Sequence, residues 1–204
     1  MKKTIILAAL ALALAIPVTA QADDKQISTT DLFKSMFKKA PEGWEKRLEQ
    51  DDTQRVCSET RNEPSPKQAE EILARESKNV AFPADGNVMG DWKKGEALAQ
   101  SGYGGRFTDT DPNKVNGGNC YACHQLATHE ISFGTIGPSL MHYGKLRDFK
   151  PEAAKETYQR IYNPQSQLAC ALMPRFGHNK FLNEQQMKDL TAFLMSPDSP
   201  VNKD

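Results

Sequence analysis

The sequence has few of the features that mark nucleic-acid-binding or integral membrane proteins. Its 204 residues include 26 basic and 26 acidic side chains, and no run of lysine and arginine stands out. A balanced charge without a basic patch offers no electrostatic basis for binding nucleic acid. Beyond residue 16 no apolar run approaches the roughly 20 residues that a membrane span needs. We therefore expect neither a nucleic-acid partner nor a membrane span in the mature chain.

Strand patterns and internal repeats are also missing. No stretch alternates apolar and polar residues for long enough to predict a sheet, whereas several stretches show the 3–4 spacing of a helix. Residues 57–64 are polar and are expected to form a loop. The predicted fold is all-α. Helices are expected to start near Ser28 and after Ser65, to include 95–99, to cover 152–163, and to start again after Asn183.

The first residues have the pattern of a secretion signal. A basic start at Lys2 and Lys3 precedes an apolar run from Ile5 to Ile16, and Ala20-Gln21-Ala22 fits a cleavage site with small residues. We predict a signal peptide over 1–22, a mature start at Asp23 and a periplasmic location.

The mature chain is expected to have two parts, a helical N-terminal extension over 23–90 and a second unit over 91–204. The chain has four cysteines, and two of them, Cys57 and Cys170, lie far apart. In an oxidising compartment we expect these two to form a disulfide, with free thiols or a redox-active thiol as alternatives. Closing so long a loop would stabilise the fold by up to about 4–5 kcal/mol.

The run Cys120-Tyr121-Ala122-Cys123-His124 contains the clearest chemistry in the chain. Two cysteines at this spacing can each form a thioether with a haem vinyl group, and the following histidine can bind iron. A zinc site would need further ligands nearby, and a thioredoxin-type redox pair would need an α/β setting. A structural disulfide and a chance match are the remaining alternatives. We predict one covalent haem c, attached at Cys120 and Cys123 and ligated by His124.

Two further segments are expected to complete the iron site. The carbonyl of Pro138, in a Gly-Pro-Ser-Leu turn, is predicted to accept a hydrogen bond from His124, although the segment could be an ordinary turn. Met173 is the preferred sixth ligand because Pro174 stiffens its loop, with His178 as the second choice. A histidine–methionine pair would make a closed electron carrier. The other candidate ligands are His129, Met141, His142 and Met187.

The second unit resembles the single-haem class I cytochromes c. Three stretches together, 118–124, 131–140 and 170–178, resemble more closely the SoxX family, the small cytochrome subunits of the periplasmic sulfur-oxidising complex SoxAX. The resemblance covers the whole second unit, and it is less specific in the extension. It implies a class I cytochrome c fold with a helical N-terminal extension.

The resemblance also implies a function. Cys120, Cys123, His124 and Met173 match the haem residues of that family, and no catalytic residue is expected in this chain. SoxAX is an L-cysteine S-thiosulfotransferase, in which a SoxA-type cytochrome subunit would pair with this chain as a heterodimer. Electrons from the coupling of thiosulfate to the carrier protein SoxY would leave through this haem to a small cytochrome c. The alternatives are a free-standing periplasmic shuttle between respiratory complexes, and a haem enzyme or gas sensor with an open iron.

Overall fold

A computed structural model describes residues 29–38, 46–47 and 49–204 of the chain. The predicted signal peptide, 1–22, lies outside the described residues. Within them the protein is helical and contains no strand, and no helix is long and apolar enough to cross a membrane. The helices are α1 (Thr29–Met36), α2 (Asp52–Glu59), α3 (Pro66–Lys78), α4 (Trp92–Gln100), α5 (Pro151–Tyr162) and α6 (Glu184–Met195). Short 3₁₀ helices cover Cys120–Ala122, Lys145–Arg147, Pro164–Ser166 and Pro200–Asn202.

Helix α2 shows that the loop expected over 57–64 was wrong for its first part. The Gln54 N–H donates to the Asp51 carboxylate at 2.8 Å, and the Asp51 N–H donates to the Gln54 side chain at 3.0 Å. This reciprocal cap satisfies two backbone donors and starts a helix in a polar sequence. The helix buries Thr53, which is bonded to Glu76 of α3, and Cys57, which is bonded to Cys170 of the second unit.

The other predicted helices are confirmed, and capping boxes explain where two of them begin. Ser65 and Gln68 form a capping box at the start of α3, with proline at the first helical position. Asn183 and Gln186 form a second box at the start of α6. In both cases a short polar signal was enough to define the start of the helix.

The packing of α4 on α6 organises the second unit. A Cβ atom at Gly95 would lie only 2.1 Å from the carbonyl oxygen of Asp189, so the two backbones approach more closely than a side chain allows. The Asp189 carboxylate accepts the Asp91 N–H at 2.9 Å and thereby holds the start of α4. Helix α5 packs on α6 through Tyr158 and Ile161, which are almost fully buried.

The extension packs against the second unit. Cys57 and Ile72 from α2 and α3 form a small buried cluster with Cys170, and Glu76 of α3 accepts a hydrogen bond from the Asn163 side chain at 2.7 Å. Val88 belongs to the main apolar core. The division of the chain after residue 90 stays a prediction.

Candidate functional site

The Cys120–Ala122 3₁₀ helix presents the two motif cysteines. It begins after Asn119, which adopts the left-handed conformation with φ 48°. The N–H groups of Cys123 and His124 both donate to the Cys120 carbonyl, at 3.1 and 2.9 Å. Neither thiol is in a disulfide, and Cys120 packs against the main apolar core. The turn therefore leaves both sulfur atoms available for bonds to another group.

His124 is held in one orientation by the turn that was predicted to contact it. Its Nδ1 lies 2.8 Å from the carbonyl oxygen of Pro138. A carbonyl can only accept, so Nδ1 carries the proton and Nε2 keeps a free lone pair for a metal. A Cβ atom at Gly137 would lie 2.2 Å from the His124 ring, which shows how closely the turn fits the imidazole. The Gly137 N–H donates to the Cys123 carbonyl at 2.8 Å and fastens the turn to the motif.

The surroundings of Cys120 disfavour thiolate chemistry. Burial raises the pKa of its thiol to about 12, and the neighbouring Cys123 acts in the same direction. Zinc ligation and thiol–disulfide exchange both use the thiolate, which a lowered pKa supports. Within the described ranges, no group of three His, Cys, Asp or Glu side chains could hold a metal ion.

Met173 lies at the edge of the main apolar core, on which Cys120 of the motif also packs. Its half-buried side chain packs on the main apolar cluster, as do those of Cys120 and Leu140. The loop that contains it begins at Cys170, which is bonded to Cys57 of α2. The predicted disulfide is thus present in the structure, and it links the extension to this loop.

The other candidate ligands have different surroundings. His129 is exposed and lies 3.3 Å from a glutamate of α4, and His178 lies between two carboxylates of the extension. Met187 is 3% exposed and belongs to the main core. Met141 and His142 are half-buried and follow the Gly-Pro turn in the chain. Met173 has the surroundings best suited to a sixth ligand, and its assignment stays a prediction.

The residues present fit a covalently bound haem. The two free thiols and the oriented imidazole of His124 are the groups that haem attachment needs. A cavity of about 550 Å³ lies beside them and is lined by residues next to Cys120 and Met173, among them Gly117, Gly118 and Pro174, but not by the proposed haem residues themselves. At Gly118 a Cβ atom would approach the Cys120 sulfur to 3.1 Å, so a larger residue there would crowd the attachment point.

One group beside the site was missed in the sequence. Arg175 is buried and pairs with Asp51 and Glu76, and His178 lies beside both carboxylates. We call these four residues the Arg175 cluster. Burial opposes ionisation of Asp51, but hydrogen bonds from the Gln54 N–H and Arg175, with the charges of Arg175 and His178, hold its pKa below the usual range. No sequence signal joins the members of the cluster, because they come from three distant segments.

Two comparisons with known proteins bear on the site. Residues 113–197, which include the motif and Met173, match the cytochrome c family. A protein of Aquifex aeolicus (strain VF5), named an uncharacterized lipoprotein, is 40% identical over 157 residues, which are 76% of this chain and 73% of that protein. The region aligned with this protein is longer than residues 113–197, so the similarity extends beyond the segment that contains the motif and Met173. The chain therefore contains a cytochrome c domain, which implies covalently bound haem c, and it belongs to the same family as the Aquifex aeolicus protein.

Proposed function

We propose that this chain is the electron-transfer subunit of a periplasmic thiosulfate-oxidising complex of the SoxAX type. It would pair with a SoxA-type cytochrome, take electrons released when thiosulfate couples to a SoxY-type carrier, and pass them to a small cytochrome c. The reaction joins thiosulfate to a carrier thiol with loss of two electrons and one proton. The bond would form on the partner subunit, and the role of this chain is to remove the electrons.

The side chains suggest how this role would be performed. One haem, attached at Cys120 and Cys123, would supply the single-electron chemistry. His124 would bind the iron through Nε2, because the Pro138 carbonyl holds its Nδ1 proton. Met173 would close the opposite face, and a thioether ligand favours the reduced state and so raises the potential. Closure of both faces suits electron transfer and leaves no open position for a substrate.

The main support is the connection between the extension and the Met173 loop. A free-standing shuttle has little use for helices α2 and α3, whereas a subunit can use them to shape the surface around its haem. The Cys57–Cys170 bond is consistent with an oxidising compartment. The relative from Aquifex aeolicus is named a lipoprotein, and a location in the cell envelope would suit both proteins.

Ligation is tested by the spectrum of the ferric protein. We expect the weak red charge-transfer band of thioether ligation, and we expect Met173→Ala to lose it and to bind carbon monoxide when reduced. Met187→Ala is the matched control, since that methionine lies in the core. The ligand assignment is wrong if Met173→Ala keeps the band.

The role in sulfur oxidation is tested with the complete protein. A tagged chain should co-purify with a SoxA-type cytochrome, and thiosulfate should reduce its haem only when that subunit and a SoxY-type carrier are both present. Omission of the carrier is the control. A haem that stays oxidised in the complete mixture, but is reduced by a respiratory complex, would support the shuttle instead.

A further inference from the structure

Arg175 lies two residues after Met173 and is buried although it carries a charge. It is 5% exposed, and its guanidinium donates to the Asp51 carboxylate and lies 3.6 Å from the Glu76 carboxylate. Both carboxylates belong to the extension, at the start of α2 and within α3. A buried guanidinium is tolerated only when it is paired, so the loop can keep this position only while the extension supplies its carboxylates.

The loop itself has little backbone support at this point. From residue 172 to residue 176, no backbone N–H donates to a carbonyl among the residues that the structure describes. Backbone support resumes at Arg175 and Phe176, whose carbonyls accept the N–H groups of Asn179 at 3.0 Å and Phe181 at 2.9 Å. Met173 therefore lies on a short segment between the Cys170 disulfide and Arg175, and Arg175 is held both by its backbone carbonyl and by its side chain.

Glu76 is an unusually well-held partner for this arginine. It is 2% exposed, accepts a hydrogen bond from the Asn163 side chain, and is also bonded by the hydroxyl of Thr53. The oxygen that accepts from Asn163, Oε2, also lies near both Arg175 and His178. At 3.6 Å, Glu76 holds the guanidinium by charge, whereas the directional hydrogen bond of Arg175 goes to Asp51.

We propose that Arg175, held by Asp51 and Glu76 of the extension, is a positioning residue that keeps the Met173 thioether at the sixth coordination position. The proposal rests on the proposed ligation by Met173. We call this pairing of Arg175 with Asp51 and Glu76 the clamp. Without the clamp the Met173 loop would open more often and expose the iron to external ligands. The extension would then have a direct role at the haem, besides any role in binding a partner.

The sharpest variant is Asp51→Asn in the complete haem-loaded protein. One oxygen of Asp51 caps α2 and the other pairs with Arg175, and asparagine is an equally good cap that lacks the charge. Titration of the ferric protein with imidazole measures how easily Met173 is displaced. We expect imidazole to bind at least about tenfold more tightly to Asp51→Asn, which corresponds to about 1.4 kcal/mol. The red charge-transfer band should also melt at a lower temperature than the helical signal.

Asp85→Asn is the matched control. One oxygen of Asp85 accepts the Asn87 N–H at 2.9 Å and the other lies 3.7 Å from Lys188, so the change again removes a charge and keeps a backbone contact. It should leave the imidazole affinity unchanged. Arg175→Lys keeps the charge without the fork and should lie between the wild type and Asp51→Asn.

The outcomes separate the clamp from the ligation. If Asp51→Asn binds imidazole within about twofold of the wild type while Met173→Ala loses the red band, Met173 is the ligand and the clamp is refuted. If Met173→Ala leaves the band and the imidazole affinity unchanged, the ligation is wrong and the clamp with it. Greater affinity in Asp51→Asn, unchanged affinity in Asp85→Asn and loss of the band in Met173→Ala would support both.

Discussion

The disulfide between Cys57 and Cys170 should contribute strongly to the stability of the folded chain. The two cysteines are 113 positions apart, so the bond closes a long loop in the unfolded chain. In the chain-entropy treatment a loop of this length is worth about 4.8 kcal/mol at 25 °C. Because a whole domain is stable by only about 5–15 kcal/mol, removal of the bond should be a large perturbation.

The assay is urea unfolding of the haem-loaded Cys57→Ala/Cys170→Ala variant, followed by circular dichroism. A variant is preferable to a thiol reductant, since a reductant would also act on the haem iron. We expect the free energy of unfolding to fall by about 3–5 kcal/mol and the melting temperature to fall by about 10–15 °C. The dependence on urea should become steeper, because the unfolded chain without the bond exposes more surface.

The matched control separates the cross-link from the packing around it. Val56 is half-buried beside the bond, and Val56→Ala removes side-chain volume but leaves the bond intact. It should cost about 1 kcal/mol, with an unchanged dependence on urea. A loss below about 1 kcal/mol in the double variant would refute the reasoning, since it would show that the unfolded chain gains no freedom when the bond is absent.

Three further predictions concern the site and the packing beneath it. Gly137→Ala should reduce the yield of haem-loaded protein measured by absorbance, because its Cβ would lie 2.2 Å from the His124 ring. Gly95→Ala should lower the free energy of unfolding in urea by about 1–3 kcal/mol, because its Cβ would lie 2.1 Å from the Asp189 carbonyl oxygen and force α4 from α6. The lowered pKa of Asp51 means that its carboxylate stabilises the fold above about pH 4 and that this contribution is lost as the pH falls through the lowered value. Acid unfolding of Asp51→Asn should therefore depend less on pH than that of the wild type, and equal slopes would contradict this.

Local sequence signals predicted most of the helices. Capping boxes at Ser65 and Asn183 depend on contacts between residues three apart, so they can be read without any tertiary information. The same kind of box at Asp51 is a weaker signal in the sequence, because the helix that follows it is polar and short. Its helical state depends partly on burial of Cys57 against the second unit, which a local pattern cannot show.

The chemistry of haem attachment can be predicted from the amino-acid sequence, because the reacting groups of Cys120, Cys123 and His124 are neighbours along the chain. The Pro138 turn can be predicted as well, since a Gly-Pro pair is a strong local signal. The surroundings of Met173 depend on the tertiary fold. Charge pairing between distant segments cannot be predicted from the sequence. Arg175 needs carboxylate partners because it is buried, and the fold supplies them from the extension.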